Sequence, residues 1–258
     1  MTTMASTPAN PTNRVPEVDW EFWLVKLMAV TVGETVADYI IFQMHMGLPK
    51  TSRIMSGLLV VVVTVQFAQK RYVPWAYWLA VVMVSVVGTL ITDSLVDTYN
   101  IPLEVTTAVF VAALMATFAV WYWSERTLSI HTIHTTKREA FYWLAVLLTF
   151  ALGTAAGDMI AEGLGLGYLL TGLMFAGIIA AITAAYYFAG LNGILAFWLA
   201  YILTRPMGAS FGDLLAQSHA AGGLGLGTTI TSVVFLAVIV ALISTMSVSK
   251  QHRLRRLT

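Results

Sequence analysis

The residues of greatest chemical interest are four aspartates that recur at one position of a repeated pattern, within long apolar stretches. Each follows a glycine by five residues: Asp38, Asp93, Asp158 and Asp213. A carboxylate inside a membrane costs about 2.5–3.5 kcal/mol on insertion scales, so four copies at one register require an explanation. Carboxylate oxygens bind hard cations such as Mg²⁺, Mn²⁺ or Ca²⁺, and they also carry protons. The four aspartates are therefore our predicted metal ligands.

A second layer of acidic residues accompanies the aspartates. In the first unit Glu34 precedes Asp38 by four residues, and in the others an acid or amide follows at that distance: Asp97, Glu162 and Gln217. This spacing places both side chains on one helix face, where two carboxylates repel unless they share a proton or bind a cation. We predict that the aspartates converge on a central cavity, with Glu34 and Glu162 as the next layer. Further oxygen atoms at the same end are expected from Glu104, Thr51, Thr106, Thr171 and Thr228.

A second interpretation of the aspartates stays open. Each lies close to the short turn that joins two predicted helices, where a carboxylate can cap the turn by accepting backbone N–H groups. In that case the repetition would reflect duplication of a hairpin rather than a binding site. His45 and His219 lie near the same end and are further candidates for the cluster.

Two basic residues fall within predicted membrane spans. Arg205 precedes Pro206 and lies three residues before a repeated glycine, Gly208. We expect Arg205 to pair with a carboxylate of another unit and to hold Asp213 ionised, because charges inside a membrane protein pair with one another. The alternative is that its side chain snorkels to the headgroups. Lys26 lies close to a predicted interface, and for this residue snorkelling is the expected outcome.

The composition shows what kind of protein holds these residues. The 258 residues are 58% hydrophobic and only 10% charged, against about 25% charged in soluble domains, which excludes a soluble monomer. A net charge of +1 gives no reason to expect nucleic acid, and the absence of cysteine excludes disulfides and thiolate metal sites. Stretches of about 20 apolar residues predict eight transmembrane helices. Their bounds are about 22–44, 52–69, 75–96, 103–123, 140–161, 167–189, 193–216 and 228–248.

The basic residues predict the orientation of these helices. Ten lysines and arginines fall on the side of the two termini and two on the other side, so both termini are expected in the cytoplasm. The segments outside the helices are predicted to be a disordered cytoplasmic tail at 1–20, a cytoplasmic loop at 126–139 and a basic tail at 250–258. The loop separates two halves of the protein, 21–125 and 140–249.

An internal repeat organises the helices. The pattern (F/Y)-W-L-x8-G-x4-D-x12-T occurs four times, with a two-residue insertion in the last copy, and the copies start 55, 65 and 55 residues apart. Each copy spans two helices, so we predict an all-α membrane protein of four tandem parallel hairpins, with the first helix of each hairpin central and the second peripheral. The tryptophan is expected to anchor the helix at the interface, and the glycine to allow close helix packing.

The repeated pattern resembles bacterial multi-pass membrane proteins built from tandem copies of a membrane repeat of unknown function, described as uncharacterised membrane-anchored proteins. The resemblance covers about residues 20–250. The fourth unit, AFWLAYILTRPMGASFGDLL followed by GGLGLGTT, is the part that matches best. The resemblance implies the repeated membrane architecture and brings no established substrate.

Function must therefore be argued from the carboxylates. The sequence has no G-x-S-x-G, H-E-x-x-H or Walker-type motif, so an enzyme is not expected. We expect a small secondary-active transporter of the bacterial inner membrane that moves a divalent metal cation (Mn²⁺, Mg²⁺ or Ca²⁺) in exchange for protons. The alternative is a non-transporting scaffold or regulator whose acids satisfy its own polar network. The expected partners are the lipid bilayer and an inorganic cation or proton, and a homo-oligomer stays open.

Overall fold

The protein is built entirely of helices in the part of the chain that can be described. A computed structural model describes residues 13–255, with side chains described as far as Met246. The eight long helices are α1 (Trp20–Asp38), α2 (Leu48–Phe67), α3 (Pro74–Asp93), α4 (Leu103–Glu125), α5 (Thr136–Asp158), α6 (Gly167–Phe188), α7 (Gly193–Ala216) and α8 (Thr228–Arg255). Three π-helical turns extend α1, α3 and α5, namely Tyr39–Gln43, Ser94–Thr98 and Met159–Gly163. Short 3₁₀ turns lie at Ile130–Thr132 and His219–Ala221.

The helices have the length and composition of a multi-pass membrane protein. Seven of the described helices are long and apolar enough to cross a membrane, and α1 is the exception. α1 carries four charged residues, Glu21, Lys26, Glu34 and Asp38, which lower its hydropathy. α1 lies among α3, α7 and α8, so its charged residues are shielded by the other helices. The predicted all-α membrane fold of four helical hairpins is confirmed.

The first helices of the four hairpins form a closed ring. α1 packs against α3 and α7, and α5 packs against the same two helices from the opposite side. Each second helix lies outside this ring against the next unit: α2 on α3, α4 on α5, α6 on α7 and α8 on α1. Only 11–22% of the residues in the four outer spans are buried, against 50–61% in α3, α5 and α7. The ring is therefore the core that positions the repeated polar residues.

The repeated glycines join the ring through one contact that occurs four times. Each glycine packs against the residue that lies three positions before the glycine of the next unit. The four pairs are Gly33 with Ser85, Gly88 with Phe150, Gly153 with Arg205 and Gly208 with Val30. Because the last pair joins the fourth unit to the first, the four units have a cyclic, pseudo-fourfold arrangement. Close packing through a missing side chain was the role expected for these glycines.

A single added methyl group at one of these contacts should destabilise the ring. A Cβ atom at Gly88 would lie 2.7 Å from the Cβ of Phe150 and 3.2 Å from the backbone nitrogen of Ala151, which cannot move independently of α5. Gly88→Ala is expected to lower the free energy of unfolding by about 1–3 kcal/mol, measured by denaturation in detergent micelles. Gly177→Ala on α6 is the control, because its Cβ would meet nothing within 4 Å. Equal effects of the two changes would contradict the packing role.

Three of the four repeated tryptophans lie inside the ring and not in an interfacial belt, whereas Trp23 is half-buried. Trp78, Trp143 and Trp198 are buried, and the indole N–H of Trp198 donates to the carbonyl of Leu128 at 2.9 Å. They belong to an aromatic layer at the N-terminal ends of the ring helices: Phe22, Trp23, Tyr77, Trp78, Tyr142, Trp143, Phe197, Trp198 and Tyr201. The predicted belt role is wrong for Trp78, Trp143 and Trp198, because four parallel helices bring their N-terminal ends together around one axis.

Part of the predicted N-terminal tail packs across this aromatic end. Arg14 donates to the carboxylate of Glu139 at 2.5 Å, and that carboxylate also accepts from Gln66 at 2.9 Å. Glu139 is fully buried, and the backbone nitrogen of Arg14 bonds to the carbonyl of Ile133 at 2.9 Å. Residues 13–19 are therefore a fixed strap, whereas residues 1–12 and the basic side chains of the predicted tail at 250–258 lie outside the described part of the structure.

Candidate functional site

The acidic residues meet in one cavity at the C-terminal ends of the ring helices. The cavity has a volume of about 400 Å³ and lies at the opposite end of the ring from the aromatic layer. We call it the acidic cavity, and its carboxylates belong to Glu34, Asp38, Asp93, Asp97, Asp158, Glu162 and Asp213. No lysine, arginine or histidine among the described residues lines it. The cavity is therefore a place of concentrated negative charge inside an apolar bundle.

Three of the four aspartates stand where an α-helix changes into a π-helical turn. Asp38, Asp93 and Asp158 each precede such a turn directly, and none makes a side-chain capping hydrogen bond to it. The capping interpretation is therefore wrong for these three residues. π-Helical turns are wider than α-helical ones and occur frequently at functional sites. The sequence pattern gave no signal of them, so they are a feature that sequence reasoning missed.

The fourth unit closes the cavity in a different way. α7 ends at Ala216, three residues after Asp213, and Gln217 continues in an extended conformation. The amide of Gln217 donates to the carboxylate of Asp38 at 3.4 Å, which joins the fourth unit to the first. The amide thus takes the place that acidic residues hold in the second and third units.

The acidic side chains line an open cavity and do not form a single metal coordination sphere. Among the described residues, no group of three or more histidine, aspartate or glutamate side chains has the geometry of a metal site. The predicted ligands Asp38, Asp93, Asp158 and Asp213 nevertheless line the same cavity from four different helices. This arrangement suits a cation that keeps some of its water molecules, because such a cation needs wide spacing between charged oxygens.

A polar layer beneath the cavity links all four ring helices. Arg205 of α7 donates from one terminal nitrogen to Glu34 of α1 at 2.7 Å and to Thr154 of α5 at 2.8 Å. The hydroxyl of Thr89 of α3 lies against the same nitrogen and donates to Glu34 at 3.2 Å. Glu34, Thr89 and Thr154 each directly follow a repeated glycine. Arg205 is itself buried, so this layer is a floor that closes the cavity.

The partner of Arg205 is Glu34 and not Asp213. The expectation of a carboxylate from another unit is met, whereas the specific expectation that Arg205 holds Asp213 ionised is wrong. The physical reason is the cyclic packing of the ring. Arg205 lies against Gly153 of the preceding unit, and its side chain extends from there across the centre of the ring to α3 and α1. Asp213 lies more than two helical turns further along α7.

Lys26 is buried in the same region, which makes the predicted snorkelling wrong. Its ammonium group donates to the backbone carbonyl of Tyr201 at 2.9 Å and to the hydroxyl of Thr204. It also stands 3.9 Å from the centre of the Tyr201 ring and 5.7 Å from that of Phe150. In the part of the chain that the structure describes, no carboxylate lies within 4.0 Å of it. Because α1 belongs to the closed ring, the side chain reaches no lipid headgroup.

Several other predicted members of the cluster lie elsewhere. The hydroxyls of Thr51 and Thr106 donate to carbonyls four residues earlier in the chain, at 2.9 and 3.1 Å, so they bond within their own helix starts. His219 contacts the carbonyl of Gly223 at 3.0 Å. Residues predicted near the acids that do not line the acidic cavity are Thr51, Thr106, Thr171, Thr228, Glu104, His45 and His219. The hydroxyl-bearing residues that do line it are Thr92 and Thr98.

Comparison with known proteins identifies the repeat. No curated protein matches the chain significantly, and no solved structure does so either. A family model described as "Repeat of Unknown Function (DUF347)" matches four times, at residues 22–72, 76–127, 141–191 and 196–252. These matches coincide with the four helical hairpins and cover most of the sequence. The chain therefore belongs to the DUF347 family, a repeat family of unknown function.

Proposed function

We propose that the protein is a secondary-active transporter that exchanges a divalent cation for protons at the acidic cavity. The observation that carries this proposal is the convergence of seven carboxylates on one cavity that no described basic residue lines. Ionisable residues inside membrane proteins are costly, and they mark substrate and ion pathways. Carboxylates suit this role because they bind either a cation or protons, and the two states exclude each other.

The pairing of the acids favours transport over a purely structural role. In a scaffold, acids inside a membrane bundle are expected to pair with other groups of the protein. Of the seven cavity acids only Glu34 forms an ion pair in the described structure, and Asp38 has one long contact with an amide. Asp93, Asp158 and Asp213 face the cavity without a basic partner within 4.0 Å among the described residues. A bound cation or proton would supply the missing partner.

A divalent metal ion such as Mn²⁺, Mg²⁺ or Ca²⁺ is the proposed cargo. Hard cations of this kind prefer carboxylate, carbonyl and water oxygens, and Mg²⁺ in particular keeps several of its waters when it binds to proteins. A cavity of about 400 Å³ leaves room for a partly hydrated ion. The resemblance to bacterial membrane proteins favours the inner membrane as the location, and the distribution of basic residues supports an orientation with both termini in the cytoplasm. The acidic cavity would then face the outside of the cell.

The proposal is tested by ion flux into proteoliposomes. We expect Mn²⁺ movement that depends on a pH gradient, and we expect Asp93→Asn or Asp158→Asn to reduce the flux at least about tenfold, since each removes one of the cavity charges. That loss corresponds to about 1.4 kcal/mol of binding free energy. Glu104→Gln is the matched control, because this acid lies at the same end of the bundle outside the cavity. If folded wild-type protein shows no pH-dependent cation flux, the transporter proposal is overturned in favour of the scaffold.

A further inference from the structure

A second cavity opens at the aromatic end of the bundle. It is a groove of about 1030 Å³ between α1, α6, α7 and the loop that precedes α5. Its rim is polar, with Asp19, His131 and Asn192, whereas its walls are mostly apolar. Its inner wall contains Thr204, and the hydroxyl of this residue bonds to the buried Lys26. The groove therefore reaches the polar layers in the centre of the ring.

Both cavities lie along the seam between α1 and α7, where the fourth unit meets the first. On α1, Leu27 lines the groove and Glu34 lines the acidic cavity. On α7, Thr204 lines the groove and Asp213 lines the acidic cavity. Leu27 and Glu34 are seven positions apart, and Met207, which also lines the groove, lies six positions before Asp213, so the cavities are about 10 and 9 Å apart along the two helices. About two helical turns thus separate the two cavities on each helix.

Two buried basic residues lie where the groove approaches the acidic cavity. Lys26 of α1 is bonded to Thr204 of α7, and Arg205 of α7 is paired with Glu34 of α1, so both contacts cross the seam. A fixed positive charge in a narrow, poorly hydrated passage repels other cations. Pro206 stands next to Arg205, and a proline inside a helix removes one backbone hydrogen bond and favours a bend there. The seam therefore combines a charged barrier with a helix that can change its shape.

We propose that the cation crosses the protein along the seam between α1 and α7. The groove is the second mouth of this path, and Lys26 and Arg205 are the barrier that closes the path in the conformation described. This inference rests on the proposed function and adds to it the route, the second mouth and the residues between them. The seams between the other units carry glycine contacts of the same kind, but their polar contacts include no second buried lysine in the described structure.

Cysteine accessibility tests the path, because the natural chain contains no cysteine. Thr204→Cys places a thiol at the inner wall of the groove. Thr149→Cys is the matched control: it lies at the same repeat position of the third unit, six residues after the tryptophan, and is equally buried, but it lines neither cavity. We expect a small cationic methanethiosulfonate to modify Thr204→Cys at least about tenfold faster than Thr149→Cys. Modification should also block Mn²⁺ flux in proteoliposomes.

The outcomes separate the path from the transport function. Equal modification rates, or full flux after complete modification of Thr204→Cys, overturn the path in a protein that still transports. Absence of Mn²⁺ flux in the unmodified wild type overturns the proposed function, and the path with it. If Thr204→Cys does not fold, Ala200→Cys in the same groove is compared with Ala145→Cys, its equivalent in the third unit, which is also buried but lines neither cavity, with the same expected contrast.

Discussion

Arg205→Gln and Glu34→Gln are each expected to lower the free energy of unfolding by about 3–5 kcal/mol, as measured by chemical denaturation in detergent micelles. The two side chains form a buried ion pair with a distance of 2.7 Å. Either change leaves the other charge buried without its partner, and that is the costly part. Arg205 also joins α7 to α3 and α5 through Thr89 and Thr154, so its loss affects three contacts at once.

The double variant distinguishes an interacting pair from two independent sites. With both residues replaced by glutamine, no charge is left unpaired, so we expect a loss clearly smaller than the sum of the single losses. Lys137→Gln is the control, because Lys137 pairs with Glu125 at 3.2 Å while most of its own side chain is exposed. That exposed pair should contribute little to stability. Strictly additive losses for Arg205 and Glu34 would show that the pair is not the closing element of the floor.

The fold was predictable because its signals are local and repeated. Apolar stretches of membrane length set the helices, and the observed bounds, with the π-helical turns included, agree with the predicted ones within four residues, except at the end of α8. The fourfold pattern identified the glycines as packing positions, and a missing side chain has the same consequence in every copy. The convergence of the aspartates also follows from repetition, because equivalent residues of parallel units lie at equal depth.

The burial of Trp78 and Lys26 was not predictable from the same signals. Both residues lie close to the start of a helix, and the expected interfacial role assumes that this part of the helix faces lipid. In the structure, closure of the ring covers this part of both helices, because α1 packs against α3, α7 and α8. Sequence spacing describes neighbours on one helix, whereas the surroundings of these residues are set by other helices.

The partner of Arg205 was also not predictable, because sequence spacing does not identify contacts between helices. Spacing along α7 suggested Asp213, but the contact is made across the ring with Glu34. Sequence spacing does not show how neighbouring units are offset when they pack. In the structure, the residue three positions before the glycine of one unit packs on the glycine of the preceding unit. With that offset, Arg205 falls on Gly153 beside Thr154, and the polar residues after the other glycines become its partners.

Lys26→Met is expected to convert coupled exchange into a passive cation leak. Glu34 compensates the charge of Arg205, whereas no described carboxylate lies within 4.0 Å of Lys26, so Lys26 in its protonated form would be the uncompensated charge of the proposed barrier. At a distance of about 10 Å and an effective dielectric constant of about 20, one charge repels a divalent cation by about 3 kcal/mol. Its removal should therefore raise passive Mn²⁺ flux about 100-fold. Flux is measured without a pH gradient, together with proton movement reported by a pH-sensitive dye.

Methionine is a suitable replacement because it keeps an unbranched apolar side chain and leaves no carboxylate without a partner, so the ring should still fold. Lys26→Arg is the matched control: it preserves the positive charge on the seam, and proton coupling should persist. A leak in both variants would point to disturbed packing rather than to the charge. If Lys26→Met instead moves Mn²⁺ only with a pH gradient and at the wild-type ratio of protons to cations, Lys26 is not a barrier. The buried ammonium would then serve only to hold α1 to α7 through Tyr201 and Thr204.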